Sequence, residues 1–196
     1  MPLAFPEGMK FSRPFHLTGS IVVLSILCAH TLGANTPINV DVDRGADKAF
    51  VVDAAFDVNV PAPIAWQVLT DYEGIGLFVS SIRLSTIKER EPGRVLLEQH
   101  GVGRAWIISL PMHVVLDVRE HDQRVLAFRD VCGKSFSTYE GAWELLAIPG
   151  GTRVSYRLKA DPTGRQPAML AKSAIRGSVK QLLDEVRAEM VTRGAR

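Results

Sequence analysis

PAMLAKSAIRGSVKQLLDEVRAEMVT, residues 167–192, carries one helix breaker after its opening proline, Gly177. Ala171, Ile175, Val179, Leu182, Val186 and Met190 recur at steps of three or four, with Leu183 beside them. That spacing keeps one apolar stripe on a single side of an α-helix. Lys172, Arg176, Lys180, Asp184 and Arg187 fall on the other side, a wet face. A helix this long with one apolar side must lie on something, so the rest of the chain has to supply a matching surface.

The upstream segments read as that surface. In FVVDAAFDVNV, from Phe50, apolar and polar positions alternate until Pro61 and Pro63 end the strand. Pro63 suits the first turn of a helix, where a missing N–H costs nothing. The helix IAWQVLTDY then buries Ile64, Val68 and Leu69, with Trp66 close by, and Gly74 and Gly76 break it. GLFVSSI makes a second short helical turn or loop. From Ile82 strand follows strand. Arg83–Lys88 is followed by a Pro92-Gly93 turn, then Arg94–His100, a Gly101–Gly103 break and Ala105–Leu110. After Pro111 come His113–Arg119, Arg124–Asp130 and Ser137–Ala147, and Pro149-Gly150-Gly151 turns the chain into Thr152–Ala160. Strands separated by turn signals, with helices at the two ends, predict an α+β domain with an antiparallel meander.

The order resembles the START-like (SRPBCC) superfamily. The chain is most similar there to the polyketide cyclase/dehydrase and coenzyme Q-binding group. Two stretches carry the resemblance. VNVPAPIAWQVLTDYEGIGLFVSSI runs a strand through a Pro-Ala turn into a helix with Trp66 and Leu69-Thr70-Asp71-Tyr72. TYEGAWELLAIPGGTRVSYRLKAD is a hairpin of the type Gly-x-Trp-x-Leu, turn, Gly-Thr-x-Val-x-Tyr. The resemblance spans residues 50–192. It implies a helix-grip fold: a curved antiparallel sheet of about seven strands, two short helices and the long C-terminal helix closing an apolar pocket. Relatives bind lipids, sterols, quinones or polyketides, and a minority catalyse cyclisation or hydrolysis. No universal catalytic motif transfers.

Strand parity orients the hairpin. If Gly141, Trp143 and Leu145 face the helix, Tyr139 does too. Val154, Tyr156 and Leu158 are then inward, and Arg153, Arg157 and Lys159 point to water. The residues expected along an apolar pocket are Trp66, Phe78, Trp106, Phe128, Tyr139, Trp143, Tyr156, Met169, Ile175 and Val179. Plain core packing is the competing reading for Trp143, Tyr156 and the three helix positions.

The expected partner is an apolar small molecule, with transient membrane contact and without nucleic acid. A net charge of +2, with basic residues scattered among acidic ones as in Lys88-Glu89-Arg90-Glu91, offers no basic stripe for a polyanion. No phosphate cradle, nucleophile elbow or dinucleotide fingerprint is present, so no cofactor is expected. His100, His113 and His121 are separated by a Gly break, a Pro break and a turn. They have no cysteine or carboxylate at ligand spacing, so no metal is expected either. The enzymatic alternative is a cyclase, dehydratase or hydrolase acting on an apolar carbonyl substrate. It would need Glu98 with His100, or Arg129 with Asp130, turned into the cup.

Residues 1–34 read as a secretory leader: MKFSR from an alternative start at Met9, an apolar run and a small-residue exit at Ala34. The run free of charge and histidine, Leu17–Ala29, is 13 residues, short of the roughly 20 that span a bilayer. Periplasmic or secreted localisation is the expectation, an uncleaved anchor the alternative. Residues 35–47 read as a linker and 48–193 as the domain. If Cys28 leaves with the leader, Cys132 is the only thiol left and no intramolecular disulfide can form.

Overall fold

The structure, a computed structural model, describes residues 37–105, 108–163 and 168–196. The leader and Trp106 lie outside the described residues.

Eight strands form one antiparallel sheet: β1 (Asn39–Arg44), β2 (Phe50–Val58), β3 (Ile82–Glu91), β4 (Arg94–Ala105), β5 (Ile108–His121), β6 (Val125–Asp130), β7 (Phe136–Ile148) and β8 (Gly151–Pro162). Their order is β1-β2-β8-β7-β6-β5-β4-β3. Helix α1 (Ala62–Leu69) and a single 3₁₀ turn (Gly74–Leu77) lie between β2 and β3, and α2 (Ala168–Gly194) closes the domain.

Three local expectations change. Residues 39–44, read as linker, are the edge strand β1, pairing from Asn39↔Ala55 to Arg44↔Phe50. Its apolar alternation is only three residues deep, Ile38, Val40 and Val42, and all three are buried. Second, Gly101–Gly103 does not break the strand. β4 runs through it, and at Gly101 a Cβ would strike the Ser81 carbonyl, which accepts the Val102 N–H at 2.9 Å. Glycine there permits close approach of two backbones. Third, Pro111 sits inside β5, opposite Val102. Two residues on, the His113 N–H points away from β4 to Ser135 Oγ, 2.9 Å. The Pro111 nitrogen therefore also faces away from β4, and β6 pairs with β5 only from Leu116 onward. No ladder bond is lost.

Helix α2 packs against β1, β2, β4 and α1. Val179, Leu183, Val186 and Met190 are buried, as the stripe requires. Upstream the seat loosens: Ile175 is half-buried and Leu170 exposed. The predicted wet face is dry at Arg187, whose guanidinium lies 5.8 Å from the Phe56 ring centroid and donates to Asp184 at 3.0 Å. Around the last turns, Arg193 donates to Asp71 (2.6 Å) and Glu189 (2.7 Å), and Glu185 accepts from the Ser80 N–H (3.0 Å) and Oγ (2.6 Å). Polar bonds therefore fix the carboxyl end of the helix to the segment that follows α1.

Truncating Leu183, which has 0% exposure, to alanine should cost about 2–5 kcal/mol. The same change at Met169, 84% exposed, should stay within about 0.5 kcal/mol. Denaturant midpoints of the two variants check this contrast.

Candidate functional site

Alternation along each strand splits the sheet into an inner face under α2 and an outer face. On β7 and β8 the parity is the predicted one: Trp143, Leu145, Val154, Tyr156 and Leu158 are buried beneath the helices. Arg153 reaches out to Asp57 at 2.7 Å, and Arg157 lies 3.7 Å from Asp53. Gly141 makes room between them, since a Cβ there would meet Phe128 Cζ at 2.8 Å.

The inner face of the central strands carries a continuous aromatic floor. Trp143 and Tyr156 have ring centroids 4.4 Å apart, Phe128 and Tyr156 6.3 Å, Phe128 and Tyr139 5.7 Å, and Phe136 and Tyr139 4.5 Å. The floor is sealed at the Trp143 end and looser at the other. There Phe136, Tyr139, Met112 and Ile175 are only partly buried against the core. Burial pushes the Tyr139 and Tyr156 phenols above the ordinary range, and each also feels the other. Tyr72 is likewise pushed up, first by burial and then by donating to Glu120 at 2.7 Å.

The predicted pocket residues do not all meet. Phe128, Tyr139, Trp143 and Tyr156 form the floor. Trp66 and Val179 are buried in the helices above it, and Ile175 stands half-buried at the loose end. Phe78 lies at the opposite end of α2, 5.5 Å beneath the Arg193 guanidinium. Met169 is exposed, because two residues along a helix turn it about 200° from Ala171, which is buried.

Of the acid/base groups considered from sequence, Glu98, His100 and Arg129 face away from the cup, and Asp130, which ends the β6 row of Leu126 and Phe128, has its carboxylate occupied. Gln99 is the inward residue on β4, donating to Ser85 at 3.1 Å, so its neighbours Glu98 and His100 face outward. Arg129 lies outside, 3.9 Å from Asp117. Asp130 spends its carboxylate on the N–H groups of Val115, Cys132 and Gly133, at 2.9, 3.1 and 3.0 Å. Among the described residues, the polar side chains on the inner side of the sheet are phenols, hydroxyls, the Gln99 amide and two carboxylates already engaged, Glu120 by the Tyr72 phenol and Asp130 by backbone N–H groups.

Sequence reasoning missed one cluster. On the outer face Glu98, His100 and His113 converge, because the hairpin register sets His100 directly opposite His113. The assumed Gly break hid that pairing. Pairing Arg94–Ala105 with Ile108–His121 as neighbouring antiparallel strands would have revealed it.

This architecture has known counterparts. A profile of the family described as polyketide cyclase / dehydrase and lipid transport matches residues 49–191. The chain belongs to that family. Three solved structures show how far the fold of this START-like domain is shared. A STAR-related lipid transfer protein from Xanthomonas axonopodis superposes with a TM-score of 0.67 at 17% identity, over 80% of this chain and 95% of that one. A START superfamily protein from Mycobacterium smegmatis gives 0.63 at 15% identity, over 72% and 97%. The Zhui aromatase/cyclase from Streptomyces sp. R1128 gives 0.61 at 14%, over 74% and 93%. No curated protein matches the chain.

The sequence holds three tyrosines, and all three phenols are raised. A spectrophotometric titration of the native START-like domain should therefore show almost no tyrosinate near pH 10, the ordinary phenol value. Unfolded protein should titrate all three there. Raised folded values also mean that this contribution to stability is intact below pH 10 and is lost as pH climbs through them.

Proposed function

We propose that the domain encloses one apolar small molecule, a lipid, quinone or polyketide-like compound, between the aromatic floor and α2. One observation carries the reading. The helix packs against β1, β2 and β4, while the Phe128–Tyr139–Trp143–Tyr156 floor lies on β6, β7 and β8, with half-buried apolar side chains at one end. A surface of that kind rewards an apolar occupant. Burial of roughly 300 Å² at about 25 cal/mol/Å² holds a ligand without a charged anchor. Membership of a family that includes lipid transport supports the same reading. A cyclase or dehydratase role is less well supported, because the described inner face lacks a free carboxylate or imidazole.

Export is part of this proposal. It rests on the leader-like order of residues 9–34, and no helix among the described residues is long and apolar enough to cross a membrane.

Solvent extraction and mass spectrometry of the purified protein should recover an apolar compound approaching one per chain. Ile175→Glu, which sets a carboxylate at the loose end, should lower retention about tenfold or more. Leu146→Glu, at an exposed position on β7, should not. A protein that carries no such compound and binds neither fatty acids nor quinones in solution would refute the reading. Cell fractionation with amino-terminal sequencing should find the protein outside the cytoplasm and cut near Ala34.

A further inference from the structure

Behind the inner-face residue Met112, on the outer side of the sheet, β4 and β5 bring two imidazoles and a carboxylate together. Glu98 Oε1 lies 2.9 Å from His113 Nε2 and 3.5 Å from His100 Nε2. The two rings stack with centroids 4.2 Å apart, and all three ligand atoms lie within 4.8 Å of one another. A metal with bonds of about 2.1 Å to nitrogen and oxygen sets neighbouring ligands about 3.0 to 3.4 Å apart, so both Glu98 edges are already near that spacing. All three residues sit in paired β-strand, which fixes their backbones before any ion arrives. His113 and Glu98 are half-buried, and His100 is more open, leaving the remaining coordination positions to water.

We propose that Glu98, His100 and His113 form a surface site for one divalent transition-metal ion of the zinc or copper kind. Two imidazoles with one carboxylate suit such ions better than calcium or magnesium, which take oxygen ligands. The surroundings set its strength. Lys88 holds the other Glu98 oxygen at 3.2 Å, and Lys134 Nζ lies 3.1 Å from His113 Nδ1. Those contacts, led by Lys88 and then His113, hold the Glu98 carboxyl below its ordinary range and keep it ready as an anionic ligand. Ligation through His113 Nε2 puts the ring proton on Nδ1, so the Lys134 ammonium has to swing away. The site is therefore weakened by its own lysine. An ion bound there would join β4 to β5 directly behind the loose end of the aromatic floor.

The test is titration of the untagged full chain with ZnCl₂ and CuCl₂, by calorimetry and by thermal denaturation. Expected are one ion per chain, copper binding tighter than zinc, and a rise in Tm with either. His100→Ala/His113→Ala should weaken binding at least a hundredfold and abolish the Tm rise. His121→Ala should change neither. Lys134→Met should tighten binding several-fold, a response that no site elsewhere on the chain would give. Affinity should fall as pH drops through the imidazole range, since protons compete for the same nitrogens. Equal binding by the double variant and the unaltered protein, or no binding by the unaltered protein at 100-fold excess metal, overturns the proposal.

Discussion

The contact between one side of α2 and the inner face of a single sheet is the constraint from which the other features follow. Val179, Leu183, Val186 and Met190 can leave water only if strands curve to receive them, and a sheet whose neighbouring strands twist curls in that way. Eight antiparallel strands then present alternate residues inward. The inward set must be apolar almost throughout, because no second layer of strands stands between it and the helix. Its polar members are paired: Gln99 with Ser85, and the Thr152 hydroxyl with the Val60 carbonyl at 2.7 Å. Such pairing is what burial of polar groups requires.

The same alternation sends charge outward, where it organises differently. Asp117 is buried on the outer face beneath Arg94, Arg119 and Arg129, and Arg94 above all holds its carboxyl below the ordinary range. Glu98 gathers Lys88, His100 and His113. The two faces of β4 and β5 thus carry separate chemistry: mostly aliphatic inside, with Val95, Leu97, Val114, Leu116 and Val118, and ionic and imidazole-bearing outside. Any catalytic scheme that turns Glu98 or His100 inward would require shifting the strand by one residue, which would expose Val95 and Leu97.

Long, strongly periodic elements were legible in the sequence. The α2 stripe and the β2 alternation follow from spacing; the β7–β8 parity follows from the Gly-x-Trp-x-Leu resemblance together with the outward Arg153, Arg157 and Lys159, and it puts Trp143 and Tyr156 on the buried face. Short or interrupted elements were not. β1 has too few alternating positions to stand out, and it exists because β2 offers an edge to pair with. Gly101 and Pro111 carry breaker chemistry, yet each sits where the ladder tolerates it, one for close approach and the other facing away from its partner strand. Reading Gly101–Gly103 as a break concealed the His100–His113 opposition. Met169 was expected along the pocket, although the helical angle carries it to the other side of α2 from Ala171.

The uneven seating of α2 has a mechanical consequence. Its carboxyl end is fastened by Arg193, Glu185 and a run of buried side chains. Its amino end rests on Ala171, a half-buried Ile175 and surface contacts to β1: Lys172–Asp43 at 3.7 Å, and Arg176 donating to the Val40 carbonyl at 3.2 Å. Exposed ion pairs of that sort contribute little. The helix is therefore a cantilever, rooted at one end and lightly propped at the other. Loosening its amino end breaks few contacts and leaves the rooted core intact, so opening over the aromatic floor and global unfolding are separate events with separate free energies.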